Sequence, residues 1–541
     1  MTTGTPPPLP QPDELTGGAA VVAALVAEGV EVVFGIPGTH NLELYRALAG
    51  SGLRHVTPRH EQGAGYAADG YARTSGRPGV CFTTSGPAVN NVAAAVATAH
   101  ADSVPLLVVA PGAPRGLAGA DVGELHEMRD SRGSMAGVAE RSVRVDSAAE
   151  AAAVVRETFA RWRTRRTRPV FLEVPVDVLE GPWDGVLPPP VDPPALPSPG
   201  AADLDRATAL LAGARRPALL VGRGAAGAPD AVRALAEQLD APVVTTVGGK
   251  GVLDEGHRLS VGAAVRLAPA QELLAAADAV LVVGTGLSDA ELWGWEPALP
   301  TANVRVDLEP EQLTKRHTPA VGLAGDAGAV LAALTARLPA QHSGREDGGA
   351  RTAAARSACA EAAAADPGPW RALNAALAAA LPGAVVAGDS SQVTYYGTAH
   401  HWPASRPGQL LYPVVYATLG YGLPAAIGAK VARPDAPVLA LVGDGALMFS
   451  VAELMTAVEQ RLALPVVVVD NGGYAEIREG MDARGIERLA VDLATPDFAA
   501  LGRAFGAHGV QAGGVAEVVD AVLAALEADR PTVVAVDARL L

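Results

Sequence analysis

Short runs of consecutive apolar residues alternate along the chain with longer, Ala-rich helical stretches. The runs are Glu31–Ile36, Val80–Thr84 and Leu106–Ala110; then Ala218–Gly222, Val243–Thr246, Ala279–Gly284 and Asn303–Asp307; then Ala384–Gly388, Val438–Val442, Val466–Asp470 and Thr532–Asp537. They are rich in Val and Leu and nearly continuously apolar. That pattern predicts strands buried on both faces. Helices between such strands predict an α/β fold of doubly wound, mainly parallel sheets. Ligands of such sheets sit beyond the carboxyl ends of the strands.

Two stretches interrupt the alternation. Pro188–Pro199 (PPPVDPPALPSP) reads as an extended linker. His342–Ala353 is small, polar and charged and reads as a second linker. The expected division is a disordered tail over 1–12, a first domain over 13–187, a linker over 188–199, a central domain over 200–341, a linker over 342–360 and a third domain over 361–541. A chain of 541 residues divides this way into three domains of ordinary size.

Composition narrows the function. With 49% hydrophobic and 18% charged residues the chain is globular. A net charge of −16 argues against nucleic acid as partner, because phosphate backbones reward clustered Lys and Arg. Cys81 and Cys359 form no CxxC pair and read as small buried hydrophobes in a reducing compartment. No apolar run reaches the roughly 18 residues of a membrane span. Residues 1–12 lack the basic and apolar regions of a signal peptide. A cytoplasmic protein without a membrane partner is expected.

The informative residues follow the strands of the third domain. Val438–Val442 leads into Gly443-Asp444-Gly445, and the next buried strand ends in Asp470-Asn471-Gly472-Gly473. One acid and one amide oxygen thus emerge from successive strands, 27 positions apart. Hard oxygen donors of this kind suit Mg²⁺ shared with a phosphate. Glycine at 473 leaves a backbone carbonyl free to join them. Taken singly, GDG is a common loop and NGG a common turn; their spacing across strand, helix and strand makes them specific.

This arrangement resembles the thiamine diphosphate motif of the acetolactate synthase and benzoylformate decarboxylase superfamily. The resemblance implies that Asp444, Asn471 and the Gly473 carbonyl hold Mg²⁺ against the cofactor diphosphate, within a loop that includes Gly443, Gly445, Ala446 and Tyr474. One departure is Asp470, where the family carries a first Asn. Thr418-Leu419-Gly420-Tyr421-Gly422 looks like the segment that wedges a bulky side chain, here Leu419, between the cofactor rings, with the Ala417 carbonyl on the aminopyrimidine. Gly388-Asp389-Ser390-Ser391-Gln392 ends a buried strand, and the hydroxyls of Ser390 and Ser391 and the Gln392 amide could bind the diphosphate, although such a loop taken alone is as often a turn. Arg59-His60-Glu61-Gln62-Gly63 and the helix after it resemble the family's cofactor-activating segment. A Glu there also favours the helix dipole, but the resemblance gives Glu61 a proton exchange with the aminopyrimidine. Gly35-Ile36-Pro37-Gly38 and Thr84-Ser85-Gly86-Pro87 match loops near the cofactor, with Ala88 in place of a family Gly. The first domain is then pyrimidine-binding and the third diphosphate-binding. Active sites lie between subunits of a homodimer or homotetramer. The central domain, whose Gly222-Arg223-Gly224 turn lacks a clean dinucleotide fingerprint, is expected to be a scaffold without FAD.

Within the family, Ala101–Leu107, Gly123–Asp130 and Gly473–Arg478 resemble 5-guanidino-2-oxopentanoate decarboxylase. The expected activity is decarboxylation of a 2-oxo acid to an aldehyde, with a carboligase of the acetolactate synthase type as the alternative. A guanidinium tail calls for carboxylates. Glu127 and Glu476 could supply them, or could stand in solvent or pair with Arg129 and Arg478. His126 is the candidate proton donor. Pro37, Gly38 and His100 complete the expected substrate pocket, and His400 and His401 are further candidate histidines.

Overall fold

The computed structural model describes residues 15–339 and 344–541, so the expected tail over 1–12 lies outside the described residues. Three six-stranded sheets organise the chain, and every strand pair in them is parallel. The first contains β1 (Val32–Gly35), β2 (Arg54–Val56), β3 (Gly79–Phe82), β4 (Leu106–Gly112), β5 (Arg141–Arg144) and β6 (Val170–Pro175), in the order β2-β1-β3-β4-β6-β5. The second contains β7 (Pro217–Val221), β8 (Val243–Thr245), β9 (Ser260–Gly262), β10 (Ala279–Val283), β11 (Asn303–Asp307) and β12 (Val321–Ala324), in the order β12-β11-β10-β7-β8-β9. The third contains β13 (Val385–Ala387), β14 (Leu410–Leu411), β15 (Val438–Gly443), β16 (Pro465–Asp470), β17 (His508–Ala512) and β18 (Thr532–Asp537), in the order β14-β13-β15-β16-β18-β17. The first and third sheets share one topology, whose winding reverses beside β1 and β13.

All eleven apolar runs are strands. Six of the seven remaining strands (β2, β5, β9, β12, β14 and β17) are sheet edges. An edge strand is covered less fully, so its sequence need not be continuously apolar. Arg54-His55-Val56 and His508–Ala512 illustrate this. The seventh, β6, is central but interrupted by Glu173, which is buried against Arg144 at 2.5 Å.

The stretch 342–360 is not a linker throughout. From Gly348 to Ala364 it is a helix, started by the Asp347 side chain on the Ala350 N–H at 3.0 Å. Ala355, Cys359 and Ala363 enter the core beneath the central sheet. Glycines and charges mimic a linker here, but a capping Asp and one apolar face make a helix. Residues 188–199 contain no helix or strand.

The first and third domains meet through two helices, Glu61–Ser75 and Gly422–Ala432. A Cβ on Gly70 would lie 2.3 Å from the Ala425 carbonyl oxygen, and one on Gly428 would lie 1.9 Å from that of Ala67. The backbones touch, and only glycine permits it. Gly428→Ala is therefore expected to lower stability by about 1–3 kcal/mol, measured as a shift in the urea midpoint. An unchanged midpoint would mean the helices can move apart freely.

Candidate active site

Because β13, β15 and β16 are adjacent and parallel, their carboxyl ends deliver three loops to one place. Asp444 opens the helix Asp444–Met448 at the end of β15 and is 1% exposed. Its Oδ2 accepts the Gly473 N–H at 2.8 Å. Burial, aided by the charge of Asp470, pushes its carboxyl up to about 6. The Asn471 amide faces both the Gly473 carbonyl oxygen and Asp444 Oδ1. Turned nitrogen inward, it donates to them at 2.9 and 3.1 Å; turned oxygen inward, it makes a cluster of three oxygens. A carboxylate, an amide and a carbonyl converging this closely are the donors a hard divalent cation takes. Among the described residues no cluster of three His, Cys, Asp or Glu side chains offers an alternative.

The loop is built for that carbonyl. Gly473 has φ +131°, and a Cβ there would sit 2.2 Å from the Val491 oxygen. Residues 472–474 are pinned to 491–493 by Tyr474 N–H on Val491 O at 2.9 Å and Leu493 N–H on Gly472 O at 3.0 Å. Asp470, the departure from the family pattern, braces the turn: it accepts the Gly472 N–H at 3.0 Å and the Thr495 hydroxyl at 2.9 Å. Tyr474 lies over Gly445, and Ala446 is buried beside them.

After β13, Asp389 takes the N–H groups of Tyr421 and Gly422 at 2.5 and 2.8 Å. Burial pushes it up to about 6 as well. Ser391 Oγ stands beside Gly443, 3.1 Å from where its Cβ would be, and the Ser390 N–H bonds the Thr418 carbonyl at 3.3 Å. Left-handed residues at Ala417 (φ 51°) and Gly420 (φ 81°) turn the chain on both sides of Leu419.

Gln392 departs from expectation. Its amide goes to Glu476 Oε2 and Glu479 Oε2, both at 3.1 Å, because two carboxylates stand within its reach. Glu476 also accepts from the hydroxyls of Tyr395 at 3.1 Å and Tyr396 at 3.4 Å. Burial, and then the Glu476 charge, pushes the Tyr396 hydroxyl up to about 12. Arg478 is not its partner; it pairs with Asp492 at 2.8 Å. The central domain adds Trp293, whose ring centroid lies 6.0 Å from Tyr395 and 5.7 Å from Tyr396. The Arg266 guanidinium lies over Trp293 at 4.7 Å. Sequence reasoning missed this cluster because Trp293 and Arg266 sit in a domain read as scaffold.

In the first domain the loops after β1, β3 and β4 converge. Asn41 stitches two of them, donating to the Ile36 and Thr83 carbonyls at 3.0 Å and accepting the Gly38 N–H at 2.7 Å. Gly38 packs on Thr84, and exposed Pro37 precedes it. Ala88 is buried in the first turn of the helix Pro87–Ala101. Glu61, first residue of its helix, accepts from Asn91 Nδ2 at 2.9 Å. Glu453, also missed, accepts the Arg59 and His60 N–H groups at 3.1 Å and so fixes where that helix begins. His126 joins Ser85 and His40 in a cavity of about 640 Å³.

Two expected pocket residues have other roles. Glu127 lines that cavity, but its oxygens take the backbone N–H groups of residues 121–124 at 2.7–3.4 Å, holding the loop rather than a ligand. The N–H bonds lower its pKa. His100 is at the opposite end of the helix Pro87–Ala101, about 20 Å from Ser85 at 1.5 Å per residue, and faces Arg168 at 3.0 Å. Burial, then Arg168 and Arg166, lowers its pKa. His400 lies on Arg266 Nε at 2.6 Å. His401 is half-buried, and its pKa is lowered by burial and then by Arg371.

Three family models match the chain: the N-terminal TPP binding domain of thiamine pyrophosphate enzymes over residues 15–134, the central domain over 204–334 and the C-terminal TPP binding domain over 389–536. A probable 2-ketoarginine decarboxylase of Pseudomonas aeruginosa is 42% identical over 92% of this chain and 90% of its own length. The acetolactate synthase isozyme 1 large subunit of Escherichia coli is 33% identical over 84% and 82%, and the acetolactate synthase large subunit of Mycobacterium tuberculosis 32% over 94% and 85%.

Gly473→Ala is expected to weaken divalent-cation binding about tenfold or more, since φ +131° is strained for alanine. Mn²⁺ affinity by EPR, with folding checked by circular dichroism, reads this. Unaltered affinity would detach the Gly473 carbonyl from any cation.

Proposed function

Because the chain belongs to the thiamine pyrophosphate enzyme family, and relatives similar to it are named as a probable 2-ketoarginine decarboxylase and as acetolactate synthases, we propose that it decarboxylates 2-ketoarginine, or a close 2-oxo acid with a guanidino side chain, to the aldehyde. One observation carries the choice of side chain. Glu476, three residues beyond Gly473, is set among Gln392, Tyr395 and Tyr396, with Trp293 at their edge. Carboxylates and aromatic faces are what a guanidinium binds, and the chain's own Arg266 already stacks on Trp293. The name of the Pseudomonas relative points the same way.

Thiamine diphosphate, when bound, would supply a nucleophilic carbon and an electron sink for decarboxylation. The chain's residues do the rest. Asp444, Asn471 and the Gly473 carbonyl would hold Mg²⁺ against the diphosphate, beside Ser390, Ser391 and the Gly443–Ala446 turn. Leu419, between its two left-handed neighbours, would support the cofactor rings, with the Ala417 carbonyl on the aminopyrimidine. Glu61 would exchange a proton with the cofactor's ring nitrogen, its own position fixed by Asn91 and by Glu453 beneath the helix start. His126 would give the proton that replaces CO2.

Glu61 belongs to the first domain and Asp444 to the third. Among the described residues no hydrogen bond joins Glu61 to Asp444, Asn471 or Gly473. We read the site as completed by a second copy in a homodimer, or in a homotetramer of two dimers. Exposed Tyr416, Met448 and Phe449 beside the third domain's loops, and Leu42, Val122 and Leu125 beside the first domain's, suit such an interface. Two unpaired buried thiols, Cys81 and Cys359, fit the cytoplasm, and no helix among the described residues is long and apolar enough to cross a membrane.

The deciding measurement is CO2 release from a panel containing 2-ketoarginine, pyruvate and branched 2-oxo acids, with products identified by mass. The guanidino acid should be the preferred substrate and yield the aldehyde. A ligated product formed from pyruvate alone would favour the acetolactate synthase type. Glu61→Gln is expected to cut turnover about 100-fold while cofactor binding persists; near-normal turnover would remove its assigned role. Glu476→Gln is expected to raise KM for the guanidino acid about tenfold, the weight of one charge-assisted hydrogen bond, and to affect an uncharged acid far less.

A further inference from the structure

Three loops of the first sheet bring a serine between two histidines. His40 lies on the turn Thr39–Asn41 after β1, Ser85 on the loop after β3, and His126 on the loop after β4. His40 Nδ1 is 2.6 Å from Ser85 Oγ, and Ser85 Oγ is 3.2 Å from His126 Nδ1. The imidazole rings meet edge to face at 5.5 Å. Ser85 is 5% exposed, and both rings are half-buried in the wall of the cavity.

The backbone is shaped around this contact. His126 has φ +63°, uncommon for a residue with a side chain. Gly86 has φ +62°, and a Cβ there would lie 2.6 Å from both Cβ and O of His126. Strain held at a polar cluster of this kind is a mark of function.

We infer that His40, Ser85 and His126 form a proton relay, with His126 as the terminal donor and with His40 and Ser85 acting through it. The inference rests on the proposed decarboxylation, which requires one proton per turnover on the carbon that has lost CO2. Three transfers balance the step. His126 Nε2–H gives its proton to that carbon, and the carbon's electron pair becomes a C–H bond. Ser85 Oγ–H passes its proton to His126 Nδ1. Protonated His40 passes Nδ1–H to Ser85 Oγ. His126 ends as the other neutral tautomer and His40 ends neutral, and solvent in the cavity re-protonates the chain. A hydroxyl suits the middle place because it accepts and donates at once.

The surroundings of His40 make its protonated form the readier acid. Burial lowers its pKa, and the neighbouring His126 lowers it further, while Glu124 and Glu180 oppose both. The other charged groups of the cavity are occupied or peripheral. Glu173 pairs with Arg144, Glu127 holds its backbone loop, and Asp130 caps Gly133 at 2.7 Å. Arg129 and Arg132 line the wall.

The test uses the full chain, folded variants being confirmed by circular dichroism. In cofactor-free protein with 13C-labelled histidine, His126 should titrate at a different pH in Ser85→Ala and in His40→Asn, with Ser85→Thr restoring the wild-type curve. With cofactor and whichever 2-oxo acid the enzyme accepts, Ser85→Ala should slow aldehyde formation in a single turnover roughly 10- to 100-fold. It should also turn a curved proton inventory into a linear one, and Ser85→Thr should restore the curvature. An unmoved His126 titration in both variants would overturn the relay. So would a proton inventory unaffected by loss of the hydroxyl. If no 2-oxo acid is decarboxylated, the proposed function fails while the histidine titration still decides whether the three residues are coupled.

Discussion

The contact between the helices Glu61–Ser75 and Gly422–Ala432 is the constraint on which the site depends. One helix begins with Glu61, and the other follows the turn that presents Leu419. Gly70 and Gly428 let their backbones touch, and a buried network locks the register. Arg73 bonds Asp69 at 2.6 Å and Asp102 at 2.9 Å, and the Tyr421 hydroxyl reaches Asp69 at 2.6 Å. Burial opposes the charge of Arg73, but Asp69, Tyr421 and Asp102 outweigh it and raise its pKa well above the ordinary value. Removing one member would strand a charge in the interior, which costs far more than the intact network contributes. At the same joint the Tyr66 hydroxyl meets Thr418 Oγ1 at 3.0 Å. A displacement of either helix is therefore felt at the turn that carries Leu419.

The electrostatics of the third domain complement that rigidity. Two buried carboxylates, Asp389 and Asp444, sit at the ends of neighbouring strands, both pushed up to about 6 by burial. They resolve the cost differently. Asp389 takes backbone N–H groups at the start of the helix Gly422–Ala432, where the helix dipole favours an anion. Asp444 has the Gly473 N–H but also faces the Asn471 amide, which with its oxygen turned inward makes an arrangement that gains from a cation.

Much of this was legible in the sequence, for identifiable reasons. Continuous apolar runs mark strands buried on both faces, so the eleven interior runs stood out, and edge strands such as Arg54–Val56 did not. The residues after β15 and β16 were legible because strand ends bring nearby sequence into space together. Residues joined only by the fold were not. Trp293 and Arg266 reach Tyr396 from another domain, and Glu453 supports Glu61 across 392 positions. His100 misled because a helix of fifteen residues carries its two ends far apart. Glu127 misled because composition does not show that backbone N–H groups have claimed its oxygens.

An isolated antiparallel bridge between Gly473 and Asp492 ties the third oxygen of the candidate cation cluster to a segment that bears exposed Ile486 and Leu489 nearby. Docking of 491–493 and ligation through the Gly473 carbonyl are then linked equilibria. Whatever free energy a bound cation lends to the docked segment, the docked segment returns as cation affinity, by the same factor. Drawing 491–493 away would therefore weaken a cation held through the Gly473 carbonyl without any contact to that cation.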